Sequence, residues 1–106
     1  MKTQLTFALG LAVAALGASA PAQANPEAAM EKAGCLACHA KDKKMVGPSF
    51  KEIAAKYKGQ DVTATLMQKV RTGGKGSFGP IPMAPNPPEK INDADLKSAV
   101  EFILKS

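Results

Sequence analysis

Apolar positions recur at helical spacing in four separate stretches between residues 26 and 104. The first holds Ala29, Met30, Ala33, Leu36 and Ala37, a stripe with the period of one helix face. Pro26 suits a first helical position, Asn25 can cap it, and Glu27 complements the helix dipole. The pattern predicts a helix running into the stretch 35–39, with Met30 in the core. Gly34 then falls inside the helix, either as a point of close helix approach or as a tolerated glycine. After Gly47-Pro48, the residues Phe50, Ile53, Ala54 and Tyr57 mark a second helix, closed by Gly59. A third spans residues 61–71, with Val62, Leu66 and Val70 on one side and Met67 beside them; Gly73-Gly74 ends it. In the fourth, Asn92 is a cap and Asp93 and Asp95 suit the first turn. Its buried stripe is Leu96, Ala99, Val100, Ile103 and Leu104, with Phe102 alongside. No stretch alternates as a strand would and no repeat is present, so the expected fold class is all-α in a single domain.

The amino-terminal stretch reads differently. Lys2 is followed by an apolar run over residues 5–16, interrupted by Thr6 and Gly10. A bilayer span needs about 20 apolar residues, so this run is too short for one. Ala22-Gln23-Ala24 fits the small-residue rule for signal cleavage, and Pro21 disfavours a cut after Ala20. Residues 1–24 are therefore expected to be a secretory signal, and residues 25–106 the working domain. So small a domain struggles to bury enough core. Its aromatic residues are only Phe50, Tyr57, Phe78 and Phe102, and its single cysteine pair offers no disulfide framework. Something other than side chains must fill the interior.

The sequence Cys35-Leu36-Ala37-Cys38-His39 names a candidate. Two cysteines three apart followed directly by histidine is the attachment signature of c-type haem. Thiols at i and i+3 share a helical face and can both reach one porphyrin edge, while His39 can place its imidazole under the iron. A bare CxxC would equally suit zinc or a redox dithiol. Here zinc would lack an obvious fourth ligand, and a dithiol oxidoreductase would need strands that the pattern does not offer.

A second ligand should come from elsewhere in the chain. Residues 79–88 hold five prolines, which exclude both a helix and a paired central strand. The segment is stiff and extended, and its one soft donor is Met83. A rigid loop presenting a thioether suits the open face of a histidine-bound haem. Met30 and Met67 are explained by helix burial, and Met45 lies too near His39 in sequence to reach the other face easily.

Charge changes the picture little. Without Lys2 the balance is thirteen basic against nine acidic residues, dispersed among one another. That is mildly basic and argues against a nucleic-acid binder. Lys41, Lys43 and Lys44 form either a patch that steers an acidic partner or an ordinary solvated loop.

Taken together, Cys35-Leu36-Ala37-Cys38-His39, Val46-Gly47-Pro48 and Gly79-Pro80-Ile81-Pro82-Met83 with Pro85-Asn86 resemble the small class I monohaem cytochromes c of bacteria. The resemblance covers essentially all of residues 25–106. It implies about four helices wrapped around one covalent haem c, the first crossing the last, with Phe102 at the crossing. It also implies thioether bonds from Cys35 and Cys38 and axial bonds from His39 and Met83. The Pro48 carbonyl would orient His39, and the Asn86 amide would point at the Met83 sulfur. Two departures stand out. Met30 replaces a frequent aromatic, and Phe78 replaces a frequent tryptophan, so any propionate contact from Phe78 is in doubt. Lys69 stands where relatives often have an arginine near a propionate.

Paired histidine and methionine ligands favour a high reduction potential and leave no open position on iron. The expected function is one-electron carriage in the periplasm, without enzymatic activity. Expected partners are redox proteins: a membrane cytochrome complex as donor, and a nitrite reductase, peroxidase or oxidase as acceptor. The carrier should be a monomer, without nucleic-acid binding or stable membrane insertion. Loss of the Met83 bond would give the alternative, a five-coordinate haem sensor or catalyst.

Overall fold

The structure is a computed structural model that describes Gly10 and residues 25–106. The proposed signal and its cleavage site therefore lie outside the described residues, apart from Gly10. Among the described residues there are four α-helices: α1 (Pro26–Ala33), α2 (Phe50–Lys56), α3 (Thr63–Thr72) and α4 (Asp93–Leu104). The all-α expectation holds. No helix among the described residues is long and apolar enough to cross a membrane.

The helix ends follow from local chemistry. The Asn25 side chain accepts the Ala28 N–H at 3.2 Å, and Pro26 opens α1 as expected. At its other end the structure departs from the sequence pattern. Gly34 adopts φ +86°, a left-handed conformation that stops the helix at Ala33. Nothing lies within 4 Å of where a Cβ would stand, so backbone conformation, not close approach, explains this glycine. Residues Cys35–Ala37 then form a separate 3-10 turn instead of extending α1. A reciprocal pair opens α2: Ser49 Oγ accepts the Glu52 N–H, and Glu52 Oε2 accepts the Ser49 N–H, both at 3.0 Å. Helix α3 starts at Thr63, two residues later than expected, because Val62 is already its non-helical cap. Asn92 caps α4, its Oδ1 accepting the Asp95 N–H at 2.8 Å.

Helix α4 is the hub. It packs against α1, α2 and α3, whereas those three pack on α4 and not on one another. Leu96, Ala99 and Val100 of α4 are buried with Met30, Phe50 and Ile91 in one cluster. Met30 is 1 % exposed, the core position its place on the stripe predicts. Phe102 of α4 packs edge-on against Phe50 of α2, ring centroids 6.4 Å apart. Met67 lies partly buried against the same cluster, consistent with a packing role.

Leu96, 2 % exposed, sits at the centre of this arrangement. Leu96→Ala is expected to cost about 2–5 kcal/mol in guanidinium unfolding of the haem-loaded protein. Lys97→Ala loses only an exposed pair with Glu101 at 4.0 Å and should change stability by less than about 0.5 kcal/mol.

Candidate haem site

Because α1, α2 and α3 meet only α4, an apolar cleft of about 400 Å³ remains between them and the proline-rich loop. That is within the range of cofactor pockets. Cys35, Cys38, His39, Pro48 and Met83 all line it, together with aliphatic residues such as Ile53, Leu66, Val70 and Val100. Five of the six site residues expected from sequence thus converge on one cleft. Asn86 does not line it.

The cysteine motif is shaped by its turn. The Ala37 N–H bonds to the Gly34 carbonyl, and the Cys38 and His39 N–H groups both bond to the Cys35 carbonyl, at 3.2 and 3.0 Å. This tight turn replaces the α-helical turn in bringing both thiols to the cleft. Burial pushes the Cys35 thiol up from its ordinary range; a backbone hydrogen bond and the Lys90 ammonium oppose this, and Cys38 adds to it. Cys38 is the more exposed of the two thiols.

His39 is held on three sides. Its Nδ1 lies 2.7 Å from the Pro48 carbonyl, which can only accept, so Nδ1 carries the hydrogen and the neutral ring keeps its lone pair on Nε2. Phe50 stacks on the imidazole at 5.9 Å and 24°. On another side is Gly47, where a Cβ would stand 2.6 Å from His39 Cε1 and 2.9 Å from Nδ1. The Gly47 N–H is bonded to the Cys38 carbonyl at 2.8 Å, fixing that approach. Gly47 therefore belongs to the site for want of a side chain. The Gly-Pro pair is visible in sequence, but contact with His39 depends on how the loop folds back.

Met83 is placed by its backbone. It forms an isolated antiparallel bridge with Gly74, with N–H to carbonyl bonds of 2.9 and 3.0 Å. Gly73 makes this possible: it has φ +68°, and a Cβ there would stand 2.4 Å from the Met83 carbonyl oxygen. Asn86 acts differently from the sequence expectation. Its amide nitrogen donates to the carbonyls of Ala84 at 3.1 Å and Val70 at 3.4 Å, not to the Met83 sulfur. It shapes the loop around Met83 from the protein side.

The remaining candidates are distributed around the cleft. Lys69 lines it, with its Nζ close to Gly74. Phe78 packs against Tyr57, and Lys56 Nζ sits 4.4 Å above the Phe78 ring. Lys41 covers the Phe102 ring at 5.4 Å, while Lys43 and Lys44 are exposed.

Comparison with known proteins agrees with this geometry. The cytochrome c family model matches residues 23–106. The chain belongs to the cytochrome c family. It is 50% identical over 84 residues to cytochrome c2 of Rubrivivax gelatinosus, covering 78% of this chain and 99% of that one. It is 44% identical over 94 residues to cytochrome c-552 of Nitrosomonas europaea, covering 88% of each. The crystal structure of wild-type Nitrosomonas europaea cytochrome c552 superposes with a TM-score of 0.67 at 40% identity, covering 74% of this chain and 96% of that one. The class 1 cytochrome MtoD of Sideroxydans lithotrophicus ES-1 gives 0.64 at 30% identity, with 76% and 90% covered.

This cytochrome is therefore of the small bacterial class I monohaem type, carries covalent haem c, and is an electron carrier rather than an enzyme. The cleft suits that group: two free thiols, an imidazole with Nε2 available, a thioether and apolar walls surround one space.

Gly47→Ala should displace the imidazole, cost about 1–3 kcal/mol in unfolding and shift the haem-region NMR signals. Gly59→Ala, with φ +75° and open space around its Cβ, should cost about 1–2 kcal/mol and leave those signals in place.

Proposed function

We propose that the chain is a periplasmic one-electron carrier in which Cys35 and Cys38 hold haem c through thioether bonds, with His39 and Met83 as the two axial ligands. The observation that carries this reading is that both thiols, the His39 ring and Met83 line one apolar cleft although they come from separated segments. The bound haem supplies a reversible iron(III)/iron(II) couple. The chain's own residues fix the terms on which that couple works.

His39, tied to Pro48 and packed on Phe50 and Gly47, presents Nε2 in one orientation. Met83, anchored through both its N–H and its carbonyl to Gly74, presents its sulfur from an independent segment. A thioether opposite an imidazole favours the reduced state and raises the potential. With His39 and Met83 both holding the iron, the chain would leave no position for a substrate, and the bound haem would supply outer-sphere transfer of one electron. Pro48 acts through His39 by orienting its ring. Asn86 acts on the loop, through its bonds to Ala84 and Val70.

Partners are redox proteins that meet the cleft side of the molecule. Among the lining residues Val46, Phe78 and Ile81 are exposed, with Lys44 and Lys75 beside them. Such a surface suits a small, transient contact with an acidic-rimmed partner. A membrane cytochrome complex as donor and a nitrite reductase, peroxidase or oxidase as acceptor fit this chemistry, with the carrier acting as a monomer. The periplasmic location rests on the amino-terminal charge, apolar run and Ala22-Gln23-Ala24 pattern.

In a host with a haem-attachment system, Met83→Ala should abolish the red methionine-to-iron(III) charge-transfer band, lower the potential and let the ferric protein bind imidazole freely. A variant with native spectrum and potential would exclude Met83 as the ligand. Mass spectrometry of the exported protein should give a chain starting at Asn25 and carrying one haem.

A further inference from the structure

The segment that presents Met83 is poor in its own hydrogen-bond donors. Prolines 80, 82, 85, 87 and 88 carry no N–H, so few main-chain donors remain to bond the loop to itself. The N–H groups of Met83 and Asn86 are already spent on the carbonyls of Gly74 and Val70, both at 2.9 Å. Within the segment the Ala84 carbonyl takes the Asn86 amide and the Pro87 carbonyl takes the Lys90 N–H, but the carbonyls of Asn86 and Ile91 find their donors elsewhere.

One side chain supplies them. Arg71, on the last turn of α3, donates through Nη1 to the carbonyls of Asn86 at 3.1 Å and Ile91 at 2.7 Å. Its Nη2 reaches Asp93 Oδ1 at 2.6 Å, at the first residue of α4. The Arg71 side chain is only 16 % exposed, whereas that of Asp93 is 85 % exposed. The ion pair is therefore the solvent-screened part, and the two carbonyl bonds the sheltered part. Those carbonyls bracket residues 86–91: one end follows Met83 by three residues, and the other belongs to Ile91, 4 % exposed in the core. A guanidinium fork can hold both ends at once, and a lysine ammonium cannot reproduce its fixed geometry.

We propose that Arg71 is a positioning residue for the Met83 sulfur. It closes the 86–91 turn, so that Met83 is braced from its carboxyl side by Arg71 and Ile91 and from its other side by the Gly74 bridge. The proposal rests on Met83 being an axial ligand and adds what keeps it in place. Removing the guanidinium leaves the Gly74 bridge intact but frees the downstream half of the loop, and Met83 then leaves the iron more readily.

The test is imidazole binding to the ferric, haem-loaded protein, followed with the methionine charge-transfer band during warming. Arg71→Met should raise imidazole affinity about tenfold, equivalent to ~1.4 kcal/mol, and lower the temperature at which the band disappears. Arg71→Lys should fall between this variant and wild type, which keeps the test open if Arg71→Met does not accumulate. Asp93→Asn, losing only the exposed ion pair, should stay within about twofold of wild type. Gly59→Ala, which does not line the cleft, controls for lost stability and should leave imidazole affinity within about twofold. Wild-type affinity in both Arg71 variants, or an equal rise in Gly59→Ala, would overturn the proposal. Absence of the charge-transfer band in the wild type would instead overturn the ligand assignment.

Discussion

Three helices whose backbones each lie close to a fourth, and not to one another, leave space between them. That constraint shapes this molecule: α1, α2 and α3 each pack on α4, and the space they would share is an apolar cleft. In a domain of this size an apolar wall of that extent needs partners on both sides, and the protein's own side chains supply only one. A covalent macrocycle resolves the deficit. Cofactor and core are then one object, and the residues that attach the cofactor also complete the fold. The buried cluster around Met30, Phe50, Leu96 and Val100 fixes where α4 lies and hence where the cleft opens.

Much of this was legible in the sequence, for reasons that differ by residue. The stripe Leu96, Ala99, Val100 reads correctly because its period is a direct image of burial, and Asn25 and Asn92 read correctly because capping is local chemistry. That the cysteine motif and Met83 share one cleft is legible because few other structures want those residues at those places. Misreadings occur where one backbone angle outweighs a pattern. The stripe from Ala29 to Ala37 continues through Gly34, yet φ +86° there turns one expected helix into a helix and a separate 3-10 turn. Asn86 was placed by resemblance, and its amide goes to carbonyls that only folding brings near.

Gly47, Gly73 and Arg71 show what a one-dimensional reading leaves out. The first two matter through atoms they lack, in contacts with His39 and with the Met83 carbonyl that arise only after loops fold back. Arg71 sits on an unremarkable helix end, and nothing in its neighbours along the chain announces carbonyls fifteen and twenty residues away. The Ser49–Glu52 pair is of another kind: its spacing is a recognisable helix start, and it anchors the residue immediately after Pro48.

The Gly74–Met83 bridge and the His39–Pro48 bond share a further property. Each is made by a main-chain carbonyl with a main-chain or ring N–H, and neither contains a surface charge. Main-chain groups do not titrate, and Coulomb screening by salt acts mainly on exposed ions. A carrier that moves between partners passes through changing ionic surroundings, and its surface lysines exchange counter-ions at each encounter. These two contacts are insulated from that traffic, whereas the exposed Arg71–Asp93 pair at the far end of the Met83 loop is the part of the frame that meets it.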